Sequence, residues 1–169
     1  QWDEAERLQR MQVNEQRKNA APFLALPPES LNDWQKNVVR TLAASLHEFG
    51  EIQRELGQAE CVKAYEESLT LSERICEKTV TAICAFHLGH AYENLPALRD
   101  LVQAERWYQR SLELFDERDR LGRSKCMSQL GLVAYERFQD GRKVKAPEAA
   151  LLKHLNDAMG FSQQALALL

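Results

Sequence analysis

Glycine and proline are scarce, seven of one and five of the other in 169 residues. That excludes a chain of turns and short loops, because the strongest local breakers are confined to a few points. No apolar run approaches the roughly 18–20 residues that a membrane span needs, so a transmembrane helix is excluded and no membrane partner is expected. No secretory leader is expected from the opening QWDEAERLQR, which is charged and without an apolar segment. The chain also lacks an initiator methionine, and is expected to be a piece of a longer protein. There is no excess of positive charge. The net charge is −3, and bases alternate with acids as in ELFDERDRLGRSK, so no nucleic-acid partner is expected. The longest basic run, GRKVK at 141–145, is too short to form a binding surface.

The four cysteines, Cys61, Cys76, Cys84 and Cys126, show no C-x-x-C spacing. They fall among apolar helical positions, where a reduced thiol acts as a small hydrophobe, and the expected compartment is cytoplasmic. Catalytic motifs are lacking as well. Neither G-x-S-x-G nor G-x-x-x-x-G-K-[ST] occurs, so the chain is expected to be non-catalytic and without a cofactor.

What remains is 44% apolar and 28% charged, the balance of a folded domain. Apolar residues recur at intervals of three and four, and no run alternates like a strand, which predicts an all-α chain. A charged helix is expected over 1–20, with Asp3, Glu4 and Glu6 near its start and Arg17 and Lys18 near its end. A Pro-rich connector over 21–30 follows. Ser30 is expected to cap the next helix, with Asp33 completing a weak capping box, and Gly57 to stop it. Further helices are expected at about 59–77, 79–94, 101–117, 120–139 and 147–169. Pro147 sits in the favoured first turn of the last one.

Two stretches echo each other across forty-three residues: CVKAYEESLTL at 61–71 and AERWYQRSLEL at 104–114. A second pattern precedes each, a large apolar residue followed by glycine: EFGEIQREL at 48–56, HLGHAYENL at 87–95 and QLGLVAYERF at 129–138. Gly50, Gly89 and Gly131 are separated by 39 and 42 residues. After each comes a segment of the same spacing: Cys61, Tyr65, Ser68; Ala104, Tyr108, Ser111; and Ala158, Ser162, Ala165, where serine stands in the aromatic's place. Antiparallel helices approach closely only where one offers small side chains, which accounts for this selective repetition. A lone helix pair cannot bury its apolar face, so such pairs stack.

Over roughly residues 43–169 this pattern resembles the tetratricopeptide repeat (TPR), in a long-period variety, since 39 and 42 exceed the usual ~34 residues. Leu88, Gly89, Tyr92, Ala104, Tyr108 and Ser111 carry the resemblance best. It implies a right-handed superhelical array of antiparallel helix hairpins over 31–169, with repeats at about 43–76, 82–118 and 124–169. Gly50, Gly89, Tyr92, Ala104, Tyr108, Ser111, Gly131, Ala158 and Ala165 would be its packing positions. The third unit departs from the pattern by separating Gly131 from Ala158 by 27 residues, against 15 in the second.

The resemblance further implies a concave groove lined by the first helix of each pair. On this sequence the lining would be His47, Glu51 and Arg54, then His87, His90, Glu93 and Asn94, then Lys125, Gln129 and Leu132. The implied function is binding of a protein or peptide segment, in a regulatory or scaffolding part of a larger protein. The carboxylate clamp of Lys, Asn and Arg that some TPR proteins use for chaperone tails is matched here only by Lys125, so that mode is not expected. Two alternatives stand beside segment binding: a self-associating, homo-oligomeric module, joined through the apolar end at 161–169 or the amphipathic N-terminal helix, and, by analogy with the family, a sensor array attached to an NTPase or effector domain.

The histidines raise two further expectations. Cys84, His87 and His90, at i, i+3 and i+6, do not converge on one point of a helix surface, and no metal site is expected from them. His87 with His90, joined by His47, makes a better-shaped cluster; no metal is expected there either, and its ordinary titration range would give a pH-sensitive groove.

Overall fold

In the computed structural model, which describes residues 2–169, α1 spans Trp2–Leu24, α2 Asp33–Glu55, α3 Cys61–Arg74, α4 Lys78–Asn94, α5 Leu101–Leu114, α6 Arg120–Lys143 and α7 Glu148–Ala167. The described residues form no strand, and none of the helices among them is long and apolar enough to cross a membrane. Each helix packs on the next in chain order.

Helix ends follow local chemistry, and three differ from expectation. Helix α1 runs through Pro22, which occupies its last turn. Pro22 withholds one intrahelical bond, from the Lys18 carbonyl, and Arg74 of α3 donates to the open carbonyls of Leu24, at 3.0 Å, and of Leu26 just past the helix end. Ser30 is not a cap. It closes a 3-10 turn over Pro28–Ser30, its hydroxyl bonding back to the Pro27 carbonyl, while Asn32 caps α2 in a reciprocal box with Gln35. Helix α6 continues past Gly141 to Lys143, because Leu151 of α7 covers that glycine. Gly57 does end α2, at φ +73°, and Cys76 and Lys145 adopt the same left-handed turn after α3 and α6.

Contacts run antiparallel within three helix pairs. In α2–α3, Ala43 meets Ser68 and Gly50 meets Tyr65; in α4–α5, Ala82 meets Ser111 and Gly89 meets Tyr108; in α6–α7, Ser124 meets Ala165 and Gly131 meets Ser162. The glycines are functionally empty space. A Cβ on Gly89 would lie 2.6 Å from the Tyr108 ring, and one on Gly50 2.8 Å from the Tyr65 ring. Seven residues before each glycine lies a second close contact. Ser68 Oγ donates to the Ala43 carbonyl and Ser111 Oγ to the Ala82 carbonyl, both at 2.7 Å. In the third pair the small residues exchange helices: Ser124 is on α6, and its hydroxyl donates across to Ala165 at 3.0 Å. The packing requirement is conserved between pairs while the donor changes sides.

The same serines tie each pair to the next. Cys84 Sγ lies 3.2 Å from Ser68 Oγ, and Cys126 Sγ donates to Ser111 Oγ at 3.3 Å. Burial pushes both thiols up to about 11, so they stay protonated and act as weak donors. Three apolar cores lie at these junctions. Val13 and Ala20 of α1 pack with Val39, Leu42 and Leu46 of α2 and Leu71 of α3. Tyr65 and Leu69 of α3 pack with Leu88 and Ala91 of α4, and Ala104 and Tyr108 of α5 with Leu130 and Val133 of α6. Helix α1 thus covers the apolar face of α2 that would otherwise be open. Ion pairs Arg17–Glu67 and Glu73–Arg110 link α1 to α3 and α3 to α5.

Replacing Gly89 by Ala is expected to lower stability by about 1–2 kcal/mol, overpacking against a buried ring outweighing the gain in helix propensity. Gly160 in α7 faces no atom within 4 Å of an added Cβ, so Gly160→Ala is expected to raise stability by up to about 1 kcal/mol. Urea unfolding of both variants checks the pair.

Candidate functional site

Counted from the glycines, the inward positions of successive pairs align. Three residues before them stand His47, Phe86 and Ser128; one after, Glu51, His90 and Leu132; four after, Arg54, Glu93 and Tyr135. Side chains of α2 reach α4, and α4 and α6 share a depression.

Between α2 and α4 the structure brings together His47, Glu51 and His87. The imidazoles stand 4.8 Å apart at 74°, and His87 stacks on the Tyr65 ring at 5.7 Å. Glu51 accepts a hydrogen bond from the Tyr65 hydroxyl at 2.5 Å. His87 Nδ1 lies 2.8 Å from Glu51 Oε1 but off the line of a hydrogen bond, so the contact is close without being directed. Arg54 lies 3.5 Å from Glu51 and 2.8 Å from Glu55. Burial opposes the Glu51 charge, but the His87 and Tyr65 contacts and the Arg54 guanidinium outweigh it and hold the carboxyl well below its usual range.

One turn on, His90 packs edge-on against Phe86 at 4.7 Å and Tyr108 at 5.6 Å, and Asn94 bonds to its carbonyl at 3.2 Å. Burial first, and the neighbouring His87 second, hold both His47 and His90 down at about 4. Neither imidazole titrates near neutrality, so these two do not supply the pH-sensitive lining that their ordinary range suggested.

Glu93 departs from its expected place on the lining. It is only 3% exposed, its Oε2 accepts from the Tyr108 hydroxyl at 2.5 Å, and its Oε1 has no partner. Its role is to fix the Tyr108 ring over Gly89. Burial pushes its carboxyl up from the ordinary value, against the lowering bonds from Tyr108 and Asn94.

Lys125 and His87 share a depression of about 350 Å³ between α4 and α6. Ile83, Phe86, Phe115 and Leu121 supply its apolar walls, and Thr79 and Asp119 add a hydroxyl and a carboxylate. Lys125 is exposed at its rim. Gln129 is half-buried with an unpartnered Oε1. Leu132 lies apart, in a hollow of about 560 Å³ between α6 and α7 with Tyr135, Leu155 and Met159. Phe86, Ile83 and Leu121 were not singled out from the sequence. Aligning the units on their glycines would have found Phe86, which takes the place that His47 has in the first pair.

Comparison with known proteins gives no family. No family model matches the chain, and no curated protein matches it. The site therefore rests on its own geometry: a mixed lining of imidazole, carboxylate and amide over an aromatic and aliphatic floor, with one ammonium at the rim.

The Glu93 shift has a measurable sign. A carboxyl whose folded pKa is raised contributes stability below its unfolded value and loses it as pH rises through the folded value. Glu93→Gln is therefore expected to change stability relative to the parent in a pH-dependent way. The variant should compare most favourably at pH 7 and lose that advantage towards pH 4, as read by thermal unfolding at both pH values.

Proposed function

We propose that the chain is a TPR-like solenoid that binds a segment of a partner protein along the face formed by α2, α4 and α6. The observation that carries this reading is the depression between α4 and α6. It has apolar walls able to take one large side chain, and polar groups from two successive helix pairs, Thr79 and His87 from one and Asp119 and Lys125 at the start of the next. Affinity would come from the buried anchor, and selectivity from the polar lining around it. Such a module suits a regulatory or scaffolding part of a larger protein in the cytoplasm, without catalysis of its own. Attachment to an NTPase or effector domain is the family's analogy only.

The test uses peptides selected from a random displayed library against the whole 169-residue chain. Leu121→Ser/Lys125→Glu changes two exposed side chains at the depression, and Val102→Ser one exposed side chain on α5. The first is expected to weaken the selected peptides by about tenfold or more and the second to leave them unchanged. The reverse pattern would place binding elsewhere.

A second reading has its own observation. The last helix pair exposes Leu132, Tyr135, Leu152, Met159 and Leu166, a larger apolar surface than the other pairs leave open. Self-association through this end would cover it. Sedimentation velocity across a hundredfold concentration range, roughly micromolar to 100 µM, checks this. A mass that rises with concentration and is held at the monomer by Leu132→Ser/Met159→Ser favours the homo-oligomer, and a constant monomer excludes it.

A further inference from the structure

His47 and Glu51 are four residues apart on α2, one above the other on the same helix face. His87 reaches them from α4. One ring nitrogen of each histidine and one Glu51 carboxylate oxygen all lie within 4.8 Å of one another. Two of the nitrogens in this cluster, His47 Nε2 and His87 Nδ1, are buried without a hydrogen bond. A buried polar nitrogen left unpaired, as His47 Nε2 is, costs about 1–3 kcal/mol, and His87 Nδ1 faces Glu51 Oε1 at 2.8 Å without a directed bond; ring stacking explains neither. A bound cation would satisfy both lone pairs at once.

We propose that His47, Glu51 and His87 form a binding site for a divalent first-row transition metal of the zinc class, clipping α2 to α4. The donor set decides the class. Two imidazoles and one carboxylate suit zinc and its neighbours, whereas magnesium and calcium require a shell of oxygens. Tyr65 supplies the outer support, since its hydroxyl donates to Glu51 and orients the carboxylate. Arg54 is the one nearby charge that opposes a cation, and Glu55 offsets it by a closer ion pair than Glu51 makes. His87 and Glu51 are partly exposed, at 20% and 33% of their side chains, which leaves a fourth position open to water or to a group of a bound partner. The trio differs from the Cys84, His87 and His90 series considered on the sequence, for Cys84 is buried against Ser68 on another side of α4.

The site would staple two helix pairs that otherwise meet through side-chain packing, and metal would stabilise the fold by mass action. The inference goes beyond segment binding and does not depend on it, because its readout is metal uptake.

The experiment uses the whole chain in a Cys76→Ser/His90→Gln/His154→Gln background, which removes the exposed cysteine and the histidines outside the cluster. After treatment with a chelator, Zn²⁺ is titrated by calorimetry and thermal unfolding is followed with and without it. One zinc per chain and a higher melting temperature are expected. Glu51→Gln and His87→Gln should each weaken uptake more than about 100-fold, and Tyr65→Phe by about tenfold. No uptake by the background chain, or uptake unchanged in both ligand variants, overturns the site. Should either ligand variant lose its helical circular dichroism, Co²⁺ absorption of the background chain decides. Intense bands of a low-coordinate ion support the site, and the weak spectrum of hydrated cobalt overturns it.

Discussion

The close approach of a glycine to the side chain opposite it, once in each helix pair, is the constraint on which the rest of the structure depends. Gly50 and Gly89 leave room for the buried rings of Tyr65 and Tyr108, and Gly131 for Ser162. A helix pair drawn together at that point brings small residues into contact seven positions earlier, where a serine hydroxyl bridges to the opposite backbone. That serine is then placed to meet the cysteine of the following pair. The register within one pair and the docking of the next are thus set by the same few side chains.

The candidate site follows from this register. Positions next to the glycine on α2, α4 and α6 cannot point into the pair, which is already filled by the tyrosine rings. They turn instead towards the neighbouring first helices, and His47 and Glu51 meet His87 there. The hydroxyl ends of the tyrosines reach the same region, where Tyr65 binds Glu51 and Tyr108 binds Glu93. Packing and site share residues. A substitution at Tyr65 would therefore disturb both, whereas Leu121 and Lys125 can be changed without touching the core.

Much of the fold was legible in the sequence because helix periodicity and the glycine spacing are strong, local signals. The all-α class, Gly57 as the end of α2 and the alignment of Ala104, Tyr108 and Ser111 with Cys61, Tyr65 and Ser68 could all be read from residue order. The end of α1 could not. Pro22 is tolerated in a last turn whose carbonyls are taken by Arg74, fifty residues away. Nor could the passage of α6 through Gly141, which depends on cover from Leu151. At the site, residue types at helical spacing suggested which side chains share a helix face, but spacing alone does not report depth. Glu93 and His90 belong to one helix face, yet Tyr108 takes the Glu93 carboxylate into the core. The meeting of His47, Glu51 and His87 required two helices to be brought side by side, information that no single stretch contains.

The most direct test of the glycine–tyrosine constraint is a double-mutant cycle in urea unfolding between Gly89→Ala and Tyr108→Ser, the latter being the residue type that the third pair carries at this place. If the ring is what forbids a side chain at position 89, the alanine should cost about 1–2 kcal/mol less when the ring is gone, a coupling well above the additive limit. Effects that add to within about 0.5 kcal/mol would show that Gly89 and Tyr108 act independently, and would contradict the account.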